Sequence, residues 1–390
     1  MHLRNTLNAT VGSAGFDFSR IAVTFSQRGM KAILSILLAI GLTNTALAAD
    51  SKATGTNLTV EPYLRIDESR ANTVELQIAL RQLTPRKGKG PVIWLAAVAH
   101  IGETNYFRTL QKHLEEHELV LFEGIMPKRK RQWTGTEFAE MQNAFPEAEE
   151  DAGLQTQLAS ALGLAFQLKA IDYDKPNYRN SDLALQDLQT LMMGGPPQPD
   201  HTPDKEETKD DNSPDTESSV EESGESEENN ESLNELMAVM HGEGFFGSIV
   251  KFGVAMIAAN PKLQAITKLT FVEVLGGLKG DLAQTKAVPP QLAQLLKVLI
   301  HGRNQKVITD LQKELQRKNP PASISVFYGA GHMDDLERRV RHQLNYRPVK
   351  DLWIPAFSVD LEASGISAWE RNMVRFMTER QLQMLSPENE

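Results

Sequence analysis

Apolar residues in this chain come in short unbroken runs, separated by stretches where they recur every third or fourth position. "PVIWLAAVAH", Pro91 to His100, is the unbroken kind and has the pattern of a strand buried on both faces. In "GETNYFRTLQKHLEEHE", which follows, Phe107, Leu110 and Leu114 stand 3 and 4 apart, the spacing of an amphipathic helix. "LVLFEGI", Leu119 to Ile125, is a second apolar run. Strand, helix and strand in that order predict a parallel, right-handed crossover. "TQLASALGLAFQLKAIDYD" predicts a further helix and a strand near Leu168–Ile171 that ends at Asp172. Towards the C-terminus "QKVITDLQKELQRK" reads as a helix, Pro320-Pro321 breaks it, and "SISVFYGAGH" is another strand. Residues 50–90 are mixed and polar, with one alternating patch, "TVELQIAL". The alternation predicts an α/β fold, a mainly parallel sheet with flanking helices in two βα-rich halves.

A change of composition separates those halves. Pro196 to Ser232 holds 14 Asp and Glu against 2 Lys and has almost nothing to bury, so 193–232 is expected to be a disordered acidic insertion. A solvated spacer is the plainer reading of it, ahead of an acidic interaction tail or a calcium-gathering surface. Residues 50–192 then form the N-terminal half of one domain and 233–390 the C-terminal half. "GFFGSIVKFGVAMIAA", Gly244 to Ala259, is short and interrupted by Lys251, which fits a core helix or a lid better than a membrane span. No internal repeat of fixed period is present.

The N-terminal stretch changes the expected compartment. From Met30 the chain reads "MKAILSILLAIGLTNTALAAD". A Lys, an apolar run and a small-residue site at Ala46-Leu47-Ala48 make residues 30–48 a signal peptide by layout. Residues 1–29 lack the character of an n-region and read as an upstream extension, with Met30 the expected start. An exported protein, periplasmic or extracellular, follows, with no membrane span after cleavage.

Charge and cysteine content narrow the chemistry. The insertion's net of −12 accounts for more than the whole chain's −10, so the remainder stands near +2 and offers no basic surface for nucleic acid. With no cysteine, disulfides, thiolate zinc sites and a cysteine nucleophile are excluded. A metal would rest on His, Asp or Glu.

In open α/β sheets the ligand crevice lies beyond the carboxyl ends of the strands. The expected strands bring His100, Glu123, Asp172 with Asp174, and His332 to such ends. Glu123 interrupts an apolar run, and a buried carboxylate needs a compensating cation, metal or hydrogen-bond network. His332 follows Gly329-Ala330-Gly331, where small residues allow unusual dihedrals and close approach by a ligand. Each has a plainer reading. A lone histidine at a strand end is most often a hydrogen-bonded turn residue. Asp334 and Asp335 suit the first turn of the helix after His332, favouring its dipole. Asp172 and Asp174 suit a turn ahead of Pro176. His113 and His117 lie four apart, as zinc-binding helical pairs do, but "LEE" between them suggests an exposed face. Convergence of three strand ends singles out His100, Glu123 and His332.

These residues resemble the TraB/PrgY/GumN family, which includes the Tiki Wnt-cleaving metalloproteases and is related to the erythromycin-esterase and ChaN group. The likeness spans about Pro91 to Val349 apart from the acidic insertion. Its marks are a strand ending in His followed by "ETNYFRTLQKHLEEHELVLFEGI", then "GRNQKVITDLQKEL", a strand and "GAGHMDDLERRV". The family carries two G-x-x-H motifs, a glutamate on the second strand and an Arg-Asn pair ahead of the second motif. Here the second motif is Gly329-Ala330-Gly331-His332, the glutamate is Glu123 and the pair is Arg303-Asn304. The first motif departs, with Ala97 where Gly is expected before His100. A second Arg-Asn, Arg371-Asn372, lies beyond the motif and reads as surface helix.

The resemblance implies that His100, Glu123 and His332 gather around one divalent metal or one activated water. Two imidazoles and a carboxylate suit zinc, manganese or cobalt. Arg303 is the candidate for steadying a carboxylate or developing oxyanion. Tiki-like relatives imply a peptide substrate. Erythromycin-esterase relatives imply ester hydrolysis of a small molecule with His as general base and no obligatory metal. ChaN-like relatives imply a haem- or ligand-binding protein instead, with Tyr106, Tyr173 and Tyr178 as candidate haem ligands and Gly244–Ala259 along the pocket.

Overall fold

The computed structural model describes residues 62–129, 131–144, 154–192, 253–277 and 298–385, all within the unit Gly41–Glu390. The expected signal peptide (30–48) and acidic insertion (193–232) lie outside the described residues, as does most of Gly244–Ala259; its described part, 253–259, is helical with no buried residue.

The unbroken apolar runs form the centre of a mixed α/β sheet flanked by helices. β3 (Val92–Val98) and β8 (Ser323–Gly329) run parallel, from Val92 opposite Ser323 to Val98 opposite Gly329. β5 (Leu119–Phe122) lies parallel on the other side of β8, with Phe122 opposite Phe327. β7 (Tyr178–Asn180) completes this parallel half, Phe122 facing Asn180. β8, from the C-terminal part of the chain, is thus inserted between β3 and β5. Leu95, Val120 and Val326 are fully buried at its centre, as expected of strands covered on both faces.

The other half is antiparallel. The alternating patch lies within β2 (Thr73–Pro85), a 13-residue strand. β9 (Tyr346–Asp360) pairs with it along its whole length. On the opposite edge β2 meets β1 (Leu64–Asp67) over Glu75–Ile78 and β3 over Leu80–Leu83.

One expected strand is absent. Residues Gln167–Ala170 form a single helical turn, preceded by β6 (Ala165–Phe166), which pairs with β4 (Ile101–Gly102) in a separate ribbon. The fourth parallel strand comes later, at β7. A mostly apolar stretch as short as Leu168–Ile171, interrupted by Lys169, cannot separate strand from buried helix. β7 lacks such a run because it is three residues long and ends the sheet.

Helices α1 (Thr104–Glu115) and α2 (Gly135–Ala144) follow β4 and β5; α3 (Leu154–Ala161), the turn Gln167–Ala170 as α4, and α5 (Leu185–Met192) continue the order. α6 (Pro261–Gly277), α7 (Arg303–Leu315), α8 (Met333–Gln343) and α9 (Ala368–Leu385) complete it. α1 buries Tyr106, Phe107, Leu110, His113 and Leu114. His113 and His117 are therefore not on an exposed face: each is 8% exposed. Their rings pack on Trp94 of β3, at 4.7 and 6.0 Å between centroids. They stand three residues beyond Leu110 and Leu114, so they continue the helix's apolar stripe. No helix among the described residues is long and apolar enough to cross a membrane.

Candidate functional site

The parallel strands end side by side, and three of the candidate residues lie at that edge. Glu123 directly follows β5. Its Oε2 accepts from the Gly329 N–H at the end of β8, at 2.7 Å, and its Oε1 accepts from Arg303 Nη2, also at 2.7 Å. Burial raises the cost of ionising Glu123, but the Arg303 charge, the nearby His332 and His100 rings and the Gly329 N–H outweigh it and hold the carboxyl down at about 2. The compensating network that a buried carboxylate demands is present, and its centre is Arg303.

Arg303 opens α7 and is 5% exposed. Its Nε and Nη2 donate to Asp182 Oδ1 and Oδ2 at 2.8 and 2.6 Å. Asp182 is held in turn by the N–H groups of Leu183 and Gly124, at 2.8 and 2.9 Å. The carboxylates that Arg303 steadies are thus the protein's own.

His332 ends the 3₁₀ turn Ala330–His332 and is fully buried. Its Nδ1 lies 2.7 Å from Asn304 Oδ1. Its Nε2 has no hydrogen-bond partner and stands 3.8 Å from Glu123 Oε1. Burial depresses the imidazole to about 4, with Glu123 opposing and Arg303 reinforcing, so the ring is neutral at pH 7. Neither glycine of the turn takes a positive φ; Gly329 sits at −50°. The unusual dihedrals expected there are not needed, and what Gly329 supplies is its N–H.

Arg303 and Asn304 are consecutive residues in the first turn of α7, so their side chains leave the helix about 100° apart. One reaches Glu123 and the other His332. A π-helical turn, Val298–Gly302, leads into α7, a feature frequent at functional sites.

His100 lies two residues beyond β3 and is partly buried. Its Nδ1 is 2.8 Å from Gln167 Oε1, and its carbonyl accepts from the Gln167 N–H at 2.7 Å. It lies near enough to Glu123 and His332 to figure in the electrostatics of both. Ala97, where the first motif departs, is an ordinary fully buried β3 position opposite Tyr328.

The other candidates lie elsewhere. Asp172 and Asp174 are exposed on the loop before β7, one paired with Lys175 at 2.8 Å and the other accepting from Thr136 at 2.6 Å. They are at the wrong end of that strand, because the strand itself starts after them. Asp334 and Asp335 occupy the first turn of α8, as expected, but Asp335 is only 1% exposed and is wired to Asn304. Tyr106, Tyr173 and Tyr178 are core side chains. Their hydroxyls meet the Ala99 N–H, Gln167 Nε2 and Gln111 Nε2 at 3.2, 2.9 and 3.3 Å. Asp182 and Gln167 were not singled out by the sequence. A polar "NSD" closing a strand, Asn180 to Asp182, was the available signal for the first.

Metal ligands at about 2.0–2.2 Å from a common ion can stand up to roughly 4.2 Å apart. His332 Nε2 and Glu123 Oε1 meet that limit, and the unpartnered buried nitrogen is the kind of atom an ion would satisfy. Among the described residues no group of three or more His, Asp or Glu is gathered that could hold one, so the fit rests on this pair. Compared with protein-family models, curated proteins and solved structures, the chain matches none.

Proposed function

We propose that the chain is an exported, metal-dependent hydrolase of the peptidase kind, with His332, Glu123 and His100 as its working groups. The observation that carries this reading is His332 Nε2: buried, unpartnered and beside an ionised carboxylate. Such a pair of acceptors attracts a cation. The residues that would hold a zinc, manganese or cobalt ion are His332 and Glu123; His100 is not gathered with them and would act from beside the pair. A bound ion supplies a low-pKa water and polarises a carbonyl.

The protein's own part is positional. Arg303, itself held by Asp182, keeps Glu123 ionised and fixed, and Gly329 fixes its second oxygen. An imidazole this hard to protonate is a better lone-pair ligand than a general base at neutral pH, which favours the metal reading over a metal-free esterase. The resemblance to Tiki-like peptidases points to a peptide substrate. It also supports reading residues 50–192 and 233–390 as two halves of one domain, in keeping with the place of β8 between β3 and β5.

The test is turnover of peptide and ester substrates by purified protein supplied with manganese, cobalt or zinc. Peptide cleavage that chelator abolishes, and that His332→Ala and Glu123→Gln both lose, is the expected result. Cleavage that survives chelator and His332→Ala overturns the reading.

A further inference from the structure

Asn304 is fully buried, and both partners of its Nδ2 can only accept. They are the His332 carbonyl at 3.2 Å and Asp335 Oδ2 at 2.9 Å. The amide therefore has one orientation, with Nδ2 towards those oxygens and Oδ1 towards His332 Nδ1. An amide oxygen is an acceptor, so the 2.7 Å contact requires the proton on His332 Nδ1. Asp335 is fixed as well, by Arg339 Nε at 2.6 Å and by Arg338. Asp335, Asn304 and His332 thus form a one-way relay.

We infer that Asn304 is a positioning residue, backed by Asp335, which locks His332 as the Nδ1-protonated tautomer and so makes Nε2 its permanent lone-pair nitrogen. Without this relay a neutral imidazole distributes its proton over both nitrogens, and an Nε2–H would turn a donor towards Glu123, 3.8 Å away. That arrangement would turn the two side chains towards each other and leave Nε2 no lone pair for a cation. The relay selects against it through the fold, because Asn304 belongs to α7 and Asp335 to α8. The choice of Nε2 as the working nitrogen rests on the hydrolase reading above; the tautomer itself does not.

The experiment is long-range proton–nitrogen NMR on full-length protein carrying ring-labelled histidine, at neutral pH and without added metal. His332 is assigned by the signal missing from His332→Gln. The expected spectrum shows the His332 proton on Nδ1 and a bare Nε2; in Asn304→Leu the proton moves wholly or partly to Nε2. With metal added, Asn304→Leu should bind manganese or zinc about 10–100-fold more weakly. A proton on Nε2 in the parent overturns the inference, as does a folded Asn304→Leu with the parent's tautomer. If Asn304→Leu does not fold, the parent spectrum alone decides. A parent with the expected tautomer that binds no metal leaves the relay standing and removes the metal reading.

Discussion

Asp182 grips the Arg303 guanidinium with both carboxylate oxygens, at 2.8 and 2.6 Å, and their side chains are 0% and 6% exposed. The same guanidinium carries Glu123, so a residue at the end of an edge strand orients the cation that keeps the candidate site's carboxylate ionised.

Removing one partner of a buried ion pair leaves the other charge uncompensated, at a cost of about 3–5 kcal/mol. Asp182→Ala should lower the unfolding free energy by that order, read as a lower urea midpoint at unchanged m-value. Arg303→Lys should lose the two-pronged geometry, and any hydrolytic activity with it, while costing less stability. Urea denaturation followed by circular dichroism measures both.

Glu123 gives an acid-side signature. Its carboxyl is held near 2 against an ordinary 4.5. A depressed carboxyl stabilises the folded state above its unfolded pKa, and that stability is lost as pH falls towards the folded value. The parent should therefore lose stability between about pH 4.5 and 2 more steeply than Glu123→Gln does. Equal slopes in denaturation midpoints across that window would remove the carboxylate from the account.

His113 predicts a second pH effect, in a different window. Burial, and then the charges of His117 and Lys350, lower it from 6.5 to about 4. Below pH 6.5 the unfolded state binds a proton that the folded state refuses, so stability falls as pH drops from 6.5 to 4. The shift corresponds to roughly 3 kcal/mol at the acid end. His113→Phe, which keeps a ring against Trp94, should flatten that limb of the stability profile.

These two pH effects show what the sequence made legible and what it hid. The apolar runs located β3, β5 and β8, and their ends located His100, Glu123 and His332. Burial of Glu123 inside "VLFEGI" also announced a compensating partner. β7 was hidden because a three-residue edge strand carries no period, and Asp182 was hidden with it. The expected exposed face for His113 and His117 was wrong because Glu115 and Glu116 outweighed their position on the stripe of Phe107, Leu110 and Leu114. The role of Asn304 depends on which acceptors surround one amide, which only the packing of α7 against α8 decides.

Gly135 opens α2, and a Cβ there would lie 2.1 Å from the Tyr173 carbonyl oxygen and 3.0 Å from that of Lys175. Backbone cannot yield cheaply, so Gly135→Ala should cost about 1–3 kcal/mol or more. Gly88→Ala, with open space around it but φ of +75°, should cost less, around 1 kcal/mol. Thermal denaturation of the two variants side by side checks the order.

A cation shared by His332 Nε2 and Glu123 is what the proposed function requires, and bound metal is its most direct measure. Protein purified without chelators, beside His332→Ala and Glu123→Gln, would be analysed by plasma mass spectrometry before and after incubation with manganese, cobalt and zinc. The account predicts near-stoichiometric divalent metal in the parent and its loss in both variants, with unchanged circular dichroism. A parent that takes up none of the three ions, or a His332→Ala variant that binds as much as the parent, would contradict it.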